Sequence, residues 1–258
     1  MTLFAEERHL SSAKPPLVLL HGFGGIGALW RPVTDRLFAE QPLLIYDLPG
    51  HGRSLESEGI RHAGVMAKAI LADLEKRDIG RFHLCGHSLG GAVASLIAGR
   101  AGTRVSSLTL LSPGGFGPEI NAVALRRYGL AETVAELSGA IIGMMAPGFE
   151  PCKSDLGRLA DARHRPGATD RLMQILASFL VERDGGVGQG TLPLAAFTDL
   201  DVPTRIVWGL EDPILPVLQA EHAWDGAEII RIAGVGHMLI EEAPGVVAAV
   251  LGKALSSG

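Results

Sequence analysis

Residues 86–90 read Gly86-His87-Ser88-Leu89-Gly90, with Gly91 next, and so have the form G-x-S-x-G. The motif lies between the apolar run FHLCG and the stretch LGGAVASLIAGR. That is the strand–turn–helix setting in which a serine hydroxyl is exposed on a sharp, strained turn. A serine is a weak nucleophile until a base takes its proton, and the base needs an acid to orient it. With the nucleophile on such a turn, acid and base are expected later in the chain, in that order, just beyond strand ends. The run TRIVW is followed by GLEDPILP, which supplies Asp212, and EIIRI by AGVGHMLIEEAP, which supplies His237. Glu211, Asp199 and Asp201 compete with Asp212, but Glu211 is expected to face the other way. Of nine histidines, only His237 follows the last strand at the required place. His87, inside the motif, is read as lining a pocket rather than as a base. His51 and His164 are read as solvated or bonded within their loops, and Cys85 as an inert small hydrophobe in a central strand.

A second glycine cluster suggests different chemistry. Gly22-Phe23-Gly24-Gly25-Ile26-Gly27 fits G-x-G-x-x-G after a strand, and Asp47 follows 20 residues later. Alone, that spacing would indicate a dinucleotide site. His21 before it and the tight stretch PGHGRS after Asp47 count against a bound ribose. A dinucleotide fold would also leave Asp212 and His237 without a reason. The cluster is better read as a loop that turns after its strand so that the Phe23 amide faces Ser88. Phe23 N–H and Leu89 N–H, the latter at a helix start, are then the expected oxyanion donors. Asp47 is expected to bond loop amides.

The elements that must position these groups are short apolar runs at 17–20, 43–46, 82–86, 107–112, 204–208 and 228–232. They are continuous rather than alternating, as strands buried on both faces should be. Helical stretches at 29–39, 63–77, 89–101, 216–224 and 243–255 separate them. This alternation predicts an α/β fold, an open, mostly parallel sheet with helices on both faces. About 16 residues precede the first run, so a leading hairpin is not expected. Between 113 and 203 the alternation stops. AVALRRYGL, VAELSGAIIGMM and DRLMQILASFL carry helical apolar stripes, and DGGVGQG closes the segment. It is expected to be an inserted helical cap over the sheet's carboxyl edge. The division is therefore 1–112 plus 204–258 for the core and 113–203 for the cap, one structural domain overall.

HGFGG, DLPGHGRS, GHSLGG, WGLEDPILP and GHMLIEEAP together resemble the α/β-hydrolase fold along nearly the whole chain. More locally, LTLLSPGGFGPEIN is similar to the hydrolase-like domain of acyltransferase components of acetoin dehydrogenase complexes. The H-x-x-x-D-G signature of dihydrolipoamide acyltransferases is not matched, His222-Ala-Trp-Asp-Gly being one residue short.

Composition narrows the chemistry further. The 258 residues are 47% hydrophobic and 20% charged, enough for a sizeable core. A formal charge of −5 without a basic run argues against nucleic acid as partner. Two cysteines without metal-ligand spacing predict neither a disulfide framework nor a metal site, and no cofactor is expected. No apolar run reaches the roughly 18 residues of a membrane span. The acidic start MTLFAEERHLSS lacks an apolar signal core, so a cytoplasmic location is expected. No oligomeric state is read from the chain. The expected activity is that of a carboxylic ester hydrolase working through Ser88, Asp212 and His237. Its substrate would be a small or medium, largely apolar ester, thioester or lactone. His87, Met144 and Met145 are the candidate pocket residues. A C–C bond hydrolase or an acyltransferase would use the same three groups, and a hydrolase-like binding module is the non-enzymatic alternative. Serine at position 88 excludes an aspartate-nucleophile dehalogenase.

Overall fold

The computed structural model describes residues 3–56 and 62–256. Its strands are β1 (Ala5–Arg8), β2 (Leu17–Leu20), β3 (Leu43–Tyr46), β4 (Phe82–His87), β5 (Val105–Leu111), β6 (Leu180–Arg183), β7 (Gly186–Gln189), β8 (Thr204–Gly209) and β9 (Glu228–Ile232). Its α-helices are α1 (Arg31–Thr34), α2 (Ala63–Lys76), α3 (Leu89–Ala101), α4 (Ala122–Leu130), α5 (Val134–Ile142), α6 (Lys153–Arg163), α7 (Ala168–Phe179), α8 (Leu239–Glu242) and α9 (Pro244–Ser256). One sheet runs β1-β3-β2-β4-β5-β8-β9, parallel apart from β1, which lies antiparallel on β3.

Side chains alternate across the strands, and both faces are covered. Val18, Leu20, Leu84, Leu108 and Ile206 pack with Met66, Ile70 and Leu74 of α2 and Val93 and Ile97 of α3. Leu17, Leu19, Cys85, Leu111 and Val207 pack on the other face with Val33 of α1 and Leu239, Val247 and Leu251. This two-sided burial explains the unbroken apolar runs. The mostly parallel α/β architecture is thus as expected.

Several expectations need correction. A leading strand does exist. AEER forms an edge strand through backbone pairing from Ala5 opposite Tyr46 to Arg8 opposite Leu43. Its charges suit an unpaired outer edge, which is why the pattern shows no strand. The helix expected over 29–39 shrinks to a 3₁₀ turn at Gly27–Trp30 and the four residues of α1. That expected over 216–224 is a 3₁₀ stretch, Val217–His222. Between β5 and β8 lie α4 to α7, but the segment is not wholly helical. β6 and β7 form an antiparallel hairpin whose pairing of Arg183 with Gly186 leaves the two-residue loop Asp184-Gly185. Gly185 there has φ +99, and Asp-Gly is a favoured hairpin turn. The polar helix α6 shows only a short buried stripe of Leu156, Leu159 and Ala160, too sparse to stand out in sequence. Among the described residues no helix is long and apolar enough to cross a membrane.

Backbones pack closely beneath the G-x-S-x-G turn. A Cβ on Gly86 would run into the Gly90 carbonyl, and one on Gly90 into the carbonyls of Leu20 and His21. α3 therefore rests directly on the backbones of β2 and β4. Backbone cannot yield as a flexible side chain does, so Gly90→Ala is expected to cost about 3 kcal/mol, at the upper end of overpacking. A lowered urea midpoint with an unchanged m-value would register it.

Candidate active site

Ser88 adopts φ +53 and ψ −115 between β4 and α3. Its N–H donates to the Leu111 carbonyl at 2.9 Å, and its own carbonyl accepts from Ala92 and Gly114, both at 3.0 Å. The hydroxyl is thereby held above the carboxyl edge of the sheet. Loops leaving β8 and β9 bring the other two groups to it. His237 Nε2 lies 3.0 Å from Ser88 Oγ, and His237 Nδ1 lies 2.8 Å from Asp212 Oδ2. The carboxylate accepts a hydrogen bond from Nδ1–H, which fixes the proton on that nitrogen and leaves Nε2 free to accept from the serine hydroxyl. Asp212 Oδ1 accepts from the amides of Ile214 and Leu215 at 2.8 and 2.9 Å. Burial acts to raise the Asp212 pKa. The charge of His237, its hydrogen bond and these two amides outweigh burial and hold the carboxyl below its ordinary value. Adjacent Glu211 instead accepts from the Val235 amide at 2.9 Å and so holds the histidine loop rather than the imidazole.

The loop 21–27 after β2 faces this group. Among the described residues, neither the Phe23 amide nor the Leu89 amide donates a hydrogen bond, and both residues border the space at Ser88. Buried histidines support the loop. His21 Nε2 accepts from Leu48 N–H at 2.9 Å while its Nδ1 lies 2.7 Å from the Gly22 carbonyl. His51 Nε2 accepts from Gly24 N–H at 3.1 Å, so this residue is loop-bonded rather than solvated. His164 is exposed. The Gly24 carbonyl, at φ +70, accepts from Tyr128 Oη at 3.1 Å and Arg163 Nη2 at 2.8 Å. Both donors come from the inserted segment. Burial pushes the pKa values of His21 and His51 down and brings His87 down to about 3. These imidazoles are therefore neutral supports. Asp47 bonds the amides of Gly27 at 2.6 Å and Arg53 at 2.8 Å, so both of its oxygens serve loop amides, as expected. Cys85 is buried, and burial pushes its thiol pKa up, leaving it unreactive.

Two cavities meet at Ser88. The larger, about 80 Å³, is bordered by Leu89, Ala92, Ile120, Phe179, Leu192 and Leu215 among others. The smaller, about 20 Å³, is bordered by His21, His87, Tyr128, Met144, His237 and Glu241 among others. His87 and Met144 therefore reach the site, and His87 Nε2–H also donates to the His237 carbonyl at 2.8 Å. Met145 borders neither cavity. Its backbone packs on Gly236, where a Cβ would lie 2.7 Å from the Met145 carbonyl carbon.

A residue that the sequence pattern gave no role holds this seam together. Glu242 accepts from Ala146 and Gly236, each at 2.8 Å, through Oε2, and from Met238 at 2.9 Å through Oε1. The His237 amide donates to the Met144 carbonyl at 2.9 Å. The available signal was an acidic residue five positions after the histidine, indistinguishable by type from Glu241. Glu242→Ala leaves three buried amides without an acceptor and is expected to cost about 3 kcal/mol or more. It should also lower turnover by displacing His237. Urea unfolding paired with kcat would show both effects, and Glu242→Gln, which keeps one acceptor oxygen, should be milder.

Comparison with known proteins agrees with the fold. The chain matches the Alpha/beta hydrolase family over residues 17–250. It is 33% identical over 230 residues to the dihydrolipoyllysine-residue acetyltransferase component of the acetoin cleaving system of Pseudomonas putida, a match covering 88% of this chain and 60% of that protein. The chain thus spans about three fifths of that relative's length. Among solved structures, a meta-cleavage product hydrolase from Pseudomonas fluorescens IP01 superposes with a TM-score of 0.81 at 18% identity, covering 98% of this chain and 93% of that one. The enol-lactonase from Burkholderia xenovorans LB400 does so with a TM-score of 0.76, also at 18% identity, covering 98% and 96%. At these identities the structural likeness is one of fold. The family match and the local likeness to acetoin-system acyltransferase components both agree with the sequence motifs, and the chain belongs to the alpha/beta hydrolase family.

Proposed function

We propose that the protein is a serine hydrolase acting on a small or medium, largely apolar carboxylic ester, thioester or lactone through an acyl-enzyme on Ser88. The observation that carries this reading is the unbroken line from Asp212 through His237 to Ser88 Oγ, which opens on an apolar cavity. His237 takes the Ser88 proton as Oγ bonds to the substrate carbonyl carbon, and Asp212 stabilises the imidazolium. The Phe23 and Leu89 amides receive the charge that develops on the carbonyl oxygen, each worth about 3–4 kcal/mol by analogy with other oxyanion donors. The carbon–oxygen bond to the leaving alcohol then breaks, and His237 hands it the proton. Water repeats the sequence on the acyl-enzyme, releasing the acid and restoring Ser88. The apolar lining around Leu192, Phe179 and Leu215 suits an uncharged acyl chain. The likeness to the P. putida acetyltransferase component supports a second reading, transfer of the acyl group to an acceptor other than water.

A fluorophosphonate probe, followed by a panel of acyl esters, thioesters, lactones and C–C substrates, tests the proposal. Labelling at Ser88 with turnover of esters is expected, and labelling without turnover of any substrate would favour a binding module. Ser88→Ala should lower kcat by about 10⁴-fold or more, and an unchanged rate would remove Ser88 from the mechanism. The base must be neutral, so log kcat/KM should fall as pH drops. A rate still flat at about pH 5 would argue against an imidazole base.

A further inference from the structure

Glu241 and Glu242 are adjacent, yet their situations are opposite. Glu242 is engaged by three amides, whereas Glu241 borders the small cavity beside Ser88 and His237. Its Oε2 is shut off from water without a hydrogen-bond partner. Among the described residues no cation pairs with it or acts on its charge. From α4 it is faced by Tyr128 and from α6 by Asp155, which is paired with Arg158 at 2.6 Å. Glu242 shares its helix, and His21, His87 and His237 border the same cavity. Arg163, next to Tyr128, is committed to the Gly24 carbonyl and lies over the Tyr128 ring at 5.3 Å. A carboxyl with one oxygen shut off from water, among neutral and acidic neighbours, is favoured as the acid, in which form it carries a proton to donate. Burial, opposed by a hydrogen bond from its own amide and reinforced by Asp155 and Glu242, pushes the Glu241 pKa up to about 8.

The side of the site on which this proton lies is set by His237, which borders the small cavity and not the apolar one. The imidazolium has to protonate the departing oxygen, so the leaving alcohol lies in the small cavity and the acyl chain in the apolar one. We propose that Glu241 is a specificity-determining residue: its protonated carboxyl donates a hydrogen bond to an acceptor oxygen carried on a short leaving alcohol. The substrate class is then an ester with an apolar acyl group and a small oxygen-bearing alcohol portion. This rests on the serine-hydrolase reading.

The test compares two esters of the same shape, 2-methoxyethyl hexanoate and butyl hexanoate, by the ratio of their kcat/KM values. The ratio cancels effects of the acyl chain and of His237 ionisation, which are common to both. At pH 6.5 the wild-type ratio should exceed that of Glu241→Leu by about tenfold, as expected for one hydrogen bond to a group otherwise left unpaired. Glu241→Gln, whose amide still donates, should keep the preference at every pH. In the wild type the acid is neutral below about pH 8 and ionised above it, so the ratio should fall towards that of the leucine variant as pH rises to 9.5. Equal ratios in wild type and Glu241→Leu, or a wild-type ratio indifferent to pH, would overturn the role of Glu241. Cleavage of butyl hexanoate that is lost in Ser88→Ala supports the hydrolase reading independently of that ratio. If the wild type cleaves neither ester but turns over another member of the panel through Ser88, the role of Glu241 falls and the hydrolase reading stands.

Discussion

Ser88 is held at a backbone conformation that an L-residue avoids, between a strand and a helix whose main chains touch. A positive φ of this kind costs of the order of 1–3 kcal/mol and persists only where the surroundings over-determine it. Here the restraints are the Leu111 carbonyl on one side, two amides on the Ser88 carbonyl on the other, and glycines wherever a Cβ would collide. The rest of the site is arranged around this turn. Because β4 lies at the centre of the sheet, with β5, β8 and β9 following on one side, the acid and base must come from strands progressively farther away. The histidine loop therefore has to reach back across the sheet edge, and it does so by hydrogen bonding to elements it does not belong to.

What could be read from the sequence follows this physical hierarchy. Strands such as LVLL and FHLCG are buried on both faces, so their composition alone marks them. Ser88, Asp212 and His237 were legible because their order is imposed by the sheet, and the structure brings them within hydrogen-bond distance. AEER was not legible, since an edge strand held by backbone pairing leaves no mark in its side chains. Nor was the short α1, where Pro32 and a 3₁₀ turn replace the long helix that apolar spacing suggested. Three amides face Glu242 and the Glu241 Oε2 is left without a partner, and two like residues side by side carry no such information.

The glycine-rich loop after β2 shows how one pattern serves two kinds of chemistry. In a dinucleotide site, glycines let the backbone approach a pyrophosphate. Here the same freedom lets the Gly24 carbonyl meet Tyr128 and Arg163 and leaves the Phe23 amide unengaged beside Ser88. The surrounding imidazoles act as uncharged hydrogen-bonding posts. Burial disfavours their charged forms, and among the described residues His237 is the imidazole placed between a carboxylate and a hydroxyl.

The Glu242 carboxylate joins the chain at Ala146 to the chain at Gly236 and Met238, so residues far apart in sequence share one anchor. The segment between β5 and β8 is consequently not an interchangeable module. A chimera that exchanged it for the corresponding segment of another family member would remove an amide that this carboxylate binds, and with it a support of the base. Variation that reshapes the pocket is therefore constrained at Met144–Ala146 and freer in α5 or the hairpin, where fewer bonds tie the segment to the loop carrying His237.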